Sequence, residues 1–273
     1  MFSAWLPFEW IVAIRFLREG RLQTLFIITG VAIGVAVIVF MSALMTGLQA
    51  NFIRRVLSAQ AHIQLLPPKE AARPLRVDSM ATAGLIEGAI IQPPLQRLKS
   101  IDQWQSVATQ IRAMPEVTAV SSVAGGSALA VRGSASRAIS IAGIEPASYY
   151  RIVNINQKIV RGNAQLKATD ILIGTEMASD LGVDIGDKLR VTTASGAASA
   201  LTVLGIFDLG NKNANQRSTF VALHTAQSLL GLPGGVTSLE VTVGDVYAAE
   251  VIARRITAAT GVEADSWIKS SAE

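Results

Sequence analysis

Histidine is the side chain most often used as a base or a metal ligand near neutral pH, and the chain has two, His62 and His224. They fall in different blocks of the sequence, and neither has a carboxylate beside it that would orient the ring. Each reads as a strand-end or surface histidine. Asp184 and Asp187 form a close carboxylate pair. Such a pair can divide acid and base work, but these two sit in Val183-Asp-Ile-Gly-Asp187, where turn chemistry accounts for both. Gly125-Gly126 lies between two strand-like runs and is expected to be a hairpin connection rather than a phosphate cradle. No serine sits in G-x-S-x-G. There is no G-x-x-x-x-G-K-[ST], no H-E-x-x-H and no EF-hand spacing. With no cysteine, disulfides, thiolate metal sites, cysteine nucleophiles and lipoprotein acylation all fall away. No catalytic, cofactor-binding or metal-binding residue is assigned, and an enzyme is not expected.

Without a reactive constellation, the information lies in the elements. Of the 273 residues, 50% are hydrophobic and only 16% are charged, and the mean hydropathy of +0.41 calls for a membrane segment or a large core. The net charge of +4 comes from scattered Lys and Arg. No dense basic run offers a phosphate-binding face, so nucleic acid is not an expected partner.

From Leu22 to Ile53 no side chain is charged. A helix needs about 20 apolar residues to cross a bilayer, and residues 22–48 read as one transmembrane helix. Gly30 and Gly34 make a G-x-x-x-G pair, a spacing that lets a second helix approach closely. Arg15, Arg18 and Arg21 precede the span, which places the N-terminus in the cytoplasm and the chain after it outside. Arg54 and Arg55 weaken that bias without reversing it. A cleaved signal peptide fits poorly, because the apolar run is too long and no small-x-small site follows it. Before the span, Trp5, Phe8, Ile11, Val12, Phe16 and Leu17 recur at helical spacing. Residues 1–21 therefore read as an amphipathic helix in the cytoplasmic membrane interface, with Trp5 and Trp10 among the lipid headgroups.

Residues 49–273 read as an exported α+β domain. A strand over 61–66 stops at Pro67-Pro68, and 67–100 is an irregular surface excursion. A helix is expected over 101–114, then strands at 117–123, 127–132 and 138–144. A second, β-rich block begins near Ile155. It has strands at 171–174, 188–193, 201–207, 219–223 and 239–243, and a polar loop over Asn211–Arg217. Thr175 is expected to cap a helix that Gly182 ends, and a helix over 246–260 turns Val251, Ile252 and Ile256 inward. Gly143, Gly174, Gly182, Gly186 and Gly205 are expected to hold turns. The division is a first part over 49–154 and 239–273 with an inserted β-rich part over 155–238.

Phe8-Glu-Trp-Ile-Val-Ala-Ile-Arg-Phe-Leu17, one membrane helix, Gly143-Ile-Glu-Pro146, Ile171-Leu-Ile-Gly174, Leu181-Gly-Val-Asp-Ile-Gly-Asp187, Val203-Leu-Gly-Ile-Phe207 and Ser266-Trp267 follow one another in the chain. In this order they resemble the permease subunits of the MacB/FtsX-like ABC transporters, nearest the lipoprotein-releasing LolC/LolE branch. The resemblance implies a periplasmic "porter" domain with a β-rich insert, anchored in a bacterial inner membrane. It implies a separate cytoplasmic ATPase, whose hydrolysis drives periplasmic movement for export or lipoprotein release. It also implies a second permease subunit, the same or different, and a periplasmic adaptor or lipoprotein chaperone as partners. Subunits of this kind continue past Trp267 into three more membrane helices, so the resemblance implies that Met1–Glu273 is a front part or a truncated product. The alternatives are a single-pass, membrane-anchored periplasmic binding or scaffold module, and a signal-anchored enzyme for which no site is found.

Overall fold

The computed structural model describes Phe8, Trp10, Val12 and Arg15, and residues 20–57, 60–68, 73–74, 91–92 and 98–270. Most of the excursion expected over 67–100 lies outside the described residues. The chain forms two compact units, Met1–Val56 and Leu57–Glu273.

The first unit is built on one helix, α1 (Arg21–Leu57), of 37 residues. It contains no proline and three glycines, so nothing interrupts its hydrogen bonds. At 1.5 Å per residue it is roughly 55 Å long. Its stretch Leu22–Leu48 has a mean hydropathy of 2.6 and no buried share. A soluble helix of that composition would bury a face.

In the second unit, β1 (Ile63–Leu65) and α2 (Trp104–Arg112) precede the long hairpin β2 (Val117–Arg132) and β3 (Ala135–Ile144). Then come α3 (Pro146–Tyr149), β4 (Ile159–Gly162), β5 (Asp170–Gly174), α4 (Thr175–Leu181), β6 (Lys188–Thr193) and β7 (Ala198–Phe207). The described residues continue with α5 (Lys212–Arg217), β8 (Ser218–Ala222), α6 (Leu223–Leu230), β9 (Ser238–Val243), α7 (Ala249–Thr260), β10 (Ala264–Ser266) and α8 (Trp267–Ser270). The strands run β10-β1-β9-β2-β3-β8-β5-β7-β4 across one sheet, and β6 pairs with both β2 and β7. That last pairing closes β2, β3, β8, β5, β7 and β6 into a barrel. Its inward residues alternate with outward ones. Ala128, Ala130, Ile139, Ile141, Ile171, Ile173, Leu189, Val191, Leu201, Val203 and Val221 fill it, while Leu129 points out.

The strands outside the barrel, β10, β1 and β9 with the first half of β2, carry α2 and α7 on one face. Ile63, Leu65, Val107, Ile111, Leu239, Val241, Ile252 and Ile256 form the core between them. A third core gathers Ile144, Tyr149, Ile155, Leu172, Phe207 and Phe220. The ring of Phe207 lies 5.3 Å from that of Phe220, and Tyr149 lies 5.7 Å from Phe220, both tilted, the geometry aromatic quadrupoles favour.

Several expectations are corrected here. Gly125-Gly126 is not a hairpin connection, because β2 runs through it; the turn is at Gly133, where φ is 58°. Up to Val123 the strand pairs with β9, and from Ala128 to Val131 with β6. The glycines mark the change of neighbour. A Cβ on Gly126 would come within 2.5 Å of Leu230 Cδ2, and the Gly125 N–H donates to Thr237 Oγ1 at 2.7 Å. Residues 212–217 are a helix rather than a loop. Asn211 caps it by accepting from the N–H groups of Asn213 and Ala214. The buried Asn215 in it accepts from Leu209 N–H and donates to Asp208 Oδ1. Thr175 is the first helical residue of α4, not its cap; Gly174 precedes it and makes no side-chain cap. Val251 faces out at 59% exposure while Ile252 and Ile256 are buried. Gly182 and Gly186 do hold turns, with φ of 61° and 87°. Gly143, Gly174 and Gly205 hold none. They are glycines because backbone or a neighbouring side chain occupies the place of a Cβ.

Candidate functional site

The sequence-predicted site residues lie mostly in the first unit. Gly30 and Gly34 fall one turn apart on α1, and an added Cβ on either would meet nothing within 4 Å. Their strip of helix surface is open along the whole apolar stretch. Phe8, Trp10, Val12 and Arg15 are helical and exposed. Trp5 and Arg18 lie outside the described residues, and Arg21 opens α1.

The second unit brings the sequence's few chemical residues to ordinary structural posts. Asp184 accepts from its neighbour's N–H, Ile185, and from Arg161 at 2.8 Å. That backbone bond first, and the arginine after it, hold its carboxyl below the usual range. Asp187 accepts from Arg132 at 2.8 Å and from Asp184 N–H at 2.9 Å, tying the turn to the end of β2. His224 Nδ1 lies 3.1 Å from Gln227 Oε1. His62 Nδ1 accepts from Val243 N–H at 3.2 Å. Among the described residues no three His, Asp or Glu side chains converge as a metal ion requires.

One polar residue went unnoticed in the sequence. Glu240 sits mid-strand in β9, directly opposite Gln64 of β1, and Gln64 lies opposite Asp265 of β10. These three share the sheet face that α2 and α7 leave uncovered. Glu240 is half-buried and lines a cavity of about 250 Å³. Burial alone pushes its pKa up to about 7. The alternation of Ser238-Leu-Glu-Val-Thr-Val243 could have placed it on the polar face. That Tyr149, the last residue of α3, lines the same cavity was not legible.

The family model described as the MacB-like periplasmic core domain matches residues 24–259. The chain belongs to that family. Among relatives, the "Lipoprotein-releasing system transmembrane protein LolC" of Xylella fastidiosa (strain 9a5c) is 25% identical over 266 residues, covering 91% of this chain and 57% of that protein. The corresponding LolE of Haemophilus influenzae (strain Rd) is 21% identical over 164 residues, covering 59% and 33%. The chain thus spans about half the length, or less, of the curated relatives it matches. Among solved structures, the extracellular domain of the transporter YknZ from Gram-positive bacteria aligns with a TM-score of 0.47 at 13% identity, over 76% of this chain and 98% of that one. The periplasmic region of MacB from Actinobacillus actinomycetemcomitans aligns at 0.47 with 12% identity, over 78% and 91%.

In this MacB-like domain Glu240 makes stability depend on pH. The folded carboxyl keeps its proton up to about pH 7, and the unfolded one releases it near 4.5. Between those values the folded state binds more protons, so stability falls as pH rises through the window. Glu240→Gln should remove this slope and leave the domain about 2 kcal/mol more stable at pH 8, allowing for solvent that reaches the carboxyl. Thermal melts of both proteins from about pH 4 to about pH 8 check it; parallel curves would show that Glu240 titrates normally.

Proposed function

We propose that the chain is a permease subunit, or the N-terminal part of one, of an ABC transporter. The observation that carries this reading is the pairing, in one chain, of an apolar, fully exposed helix with a MacB-like core domain. In the proposal the N-terminus lies in the cytoplasm of a bacterium, α1 crosses the inner membrane, and the second unit stands in the periplasm. Arg15, Arg18 and Arg21 favour that orientation. A separate ATPase binds nucleotide in the cytoplasm, consistent with a chain that carries no P-loop. Its cycle moves the periplasmic domains as rigid bodies, for export or for lipoprotein release as the names of the LolC and LolE relatives indicate. A second permease subunit, a periplasmic adaptor or lipoprotein chaperone, and membrane lipid complete the proposed partners. The protein itself performs no chemistry.

A further part of the proposal divides the exported unit into a porter-like part, 49–154 and 239–273, and a β-rich insert, 155–238. Support comes from the core under α2 and α7, which draws on 63–120 and 236–256; the barrel core takes Ala124–Ile141 from the porter-like part as well as Ile171–Leu230 from the insert. The long strand β2 joins them, so a force on one is carried to the other through continuous backbone.

The reading predicts three further apolar spans in frame beyond codon 273 and a gene for an ABC ATPase beside it. A stop codon there, with no such neighbour, would overturn it in favour of a single-pass binding module. It also assigns Gly30 and Gly34 to helix packing, with Trp5, Trp10, Arg15, Arg18 and Arg21 at the cytoplasmic interface. Gly34→Leu should weaken helix association in a membrane by on the order of 1 kcal/mol, about fivefold. Dimerisation measured by energy transfer in vesicles tests this; unchanged association removes the glycines from the interface.

A further inference from the structure

The first part of β2 has a strand on only one side. Over Val117–Val123 it pairs with β9, and β3 joins the other edge only from Val123 onward. β3 ends at Ile144, and the chain turns away into α3. Among the described residues, the second edge over Val117–Ser122 therefore has no strand. Successive residues of a strand turn their N–H and C=O to opposite edges. The Val123 carbonyl accepts from Thr237 N–H at 2.9 Å on the β9 side, so Thr118 and Val120 present theirs to the open edge. Among the described residues these groups meet one partner, Arg151 Nη2, at 3.5 Å from Thr118 O, which is beyond the usual length of such a bond. A cavity of about 440 Å³ lies along this edge, between Val117–Val120 on one side and Glu145, Ser148 and Arg151 on the other, with Arg112 also in its wall. Ala119 packs into the third core and Val120 into the core under α2 and α7. Both faces of the strand are thus covered, and the cavity is a slot in the plane of the sheet, where β3 leaves off. Open edges are templates for further strands, and charges or prolines commonly block them. Val117-Thr-Ala-Val-Ser-Ser122 has neither.

We propose that this slot receives an extended, acidic segment of a partner polypeptide, which adds to β2 as a strand and sets a carboxylate against Arg112 and Arg151. Backbone groups at Thr118 and Val120 supply the pairing, as in other cases of strand addition. The charge complementarity follows from the wall. Two arginines line the slot with one carboxylate, Glu145, which accepts from Ser148 Oγ at 3.4 Å within its own turn and forms an ion pair with neither. Arg112 makes no hydrogen bond or ion pair among the described residues, so its guanidinium is available to a carboxylate. Arg151 can release Thr118 O to an incoming N–H and turn its fork to the same carboxylate. A volume of about 440 Å³ lies within the range of ligand sites and suits a short stretch of extended chain.

The test is fluorescence polarisation of a labelled hexapeptide, alternating threonine and valine with one central aspartate, titrated with the full chain in detergent against empty micelles. Saturable binding with a Kd on the order of 0.1 mM is expected at low salt. The same peptide with asparagine for aspartate should bind about fivefold more weakly. Arg112→Gln alters an exposed side chain, so it should melt as the parent does. It should weaken the aspartate peptide about fivefold and leave the asparagine peptide unchanged. Two further peptides carry methyl groups on alternate backbone nitrogens, one on each edge; the one methylated on the pairing edge should not bind. The inference is overturned by no saturable binding, or by an Arg112→Gln variant that binds the aspartate peptide as the parent does. It is also overturned if both methylated peptides bind like the parent peptide, which would make the slot a plain anion site. Peptide affinity that falls as the chain is concentrated would give the slot to a second copy of the chain and overturn it likewise. None of these results depends on whether the chain serves a transporter.

Discussion

Gly174→Ala is expected to destabilise the second unit by about 3 kcal/mol or more, lowering its melting temperature by roughly 6–12 °C. Gly174 ends β5 and leads into α4. An added Cβ would lie 2.1 Å from the carbonyl oxygen of Asn215, 2.5 Å from its Cα and 2.6 Å from its carbonyl carbon. These are backbone atoms of α5, so no rotamer change can clear the space. They are also pinned from the other side, because Asn215 is buried and bonded to Leu209 and Asp208. Relief requires moving α5 away from β5, at the cost of that polar cluster. Gly182 is the informative control. It has φ of 61° and only the end of the Arg132 side chain nearby, at 3.8 Å. Gly182→Ala should cost only the left-handed strain, about 1 kcal/mol. If the glycines of this domain all served turns, Gly182→Ala would be the worse change. Denaturant unfolding of both variants ranks them, and equal losses would show that α5 gives way without resistance.

That comparison also shows where sequence reasoning stops. Gly182 was legible as a helix end because the signal is local: Leu181 closes an apolar period and glycine follows. The strand at Lys188–Thr193 was legible for the same reason. Gly174 was visible as a motif residue but was assigned a turn, since its partner lies in α5, some forty residues on, and no local pattern announces a close approach. The barrel was hidden likewise. It depends on β6 reaching back to pair with Ala128–Val131, a contact of long sequence separation. Residues 211–217 read as loop because they are short and polar; tertiary bonds to Asp208 and Leu209 make them a helix, overriding weak propensity. Glu240 follows the same logic. Its place in a strand was readable, but the cavity it lines also needs Tyr149 from α3, far away in the sequence. The apolar stretch of α1 was the easiest to read, because its meaning rests on composition alone.

Ile33→Arg with Val37→Arg should detach the chain from membranes, the largest single effect expected of any change here. The two positions straddle the middle of Leu22–Leu48 and are exposed at 59% and 53%. In that stretch each Leu, Ile, Val or Phe near the centre favours insertion by roughly 0.3–0.6 kcal/mol, and an Arg there opposes it by roughly 2.5–3.5 kcal/mol. One arginine is within what so long a run can absorb, with help from snorkelling. Two amount to about 6 kcal/mol, comparable to the whole favourable sum once Gly30, Gly34, Gly47 and the hydroxyl residues are counted against it. The single variant Val37→Arg should therefore stay resistant to carbonate extraction, and the double variant should move to the soluble or aggregated fraction. The second unit should keep its fold in both, because no residue of Leu22–Leu48 contributes to a buried core; its melting transition serves as the control. A double variant that remains carbonate-resistant would place a second anchor outside α1, with the amphipathic segment before Arg21 the first place to look. Loss of anchoring with the core intact would separate the two roles the transport reading assigns to this chain: α1 holds the domain at the bilayer, and the barrel and its neighbouring sheet do the moving.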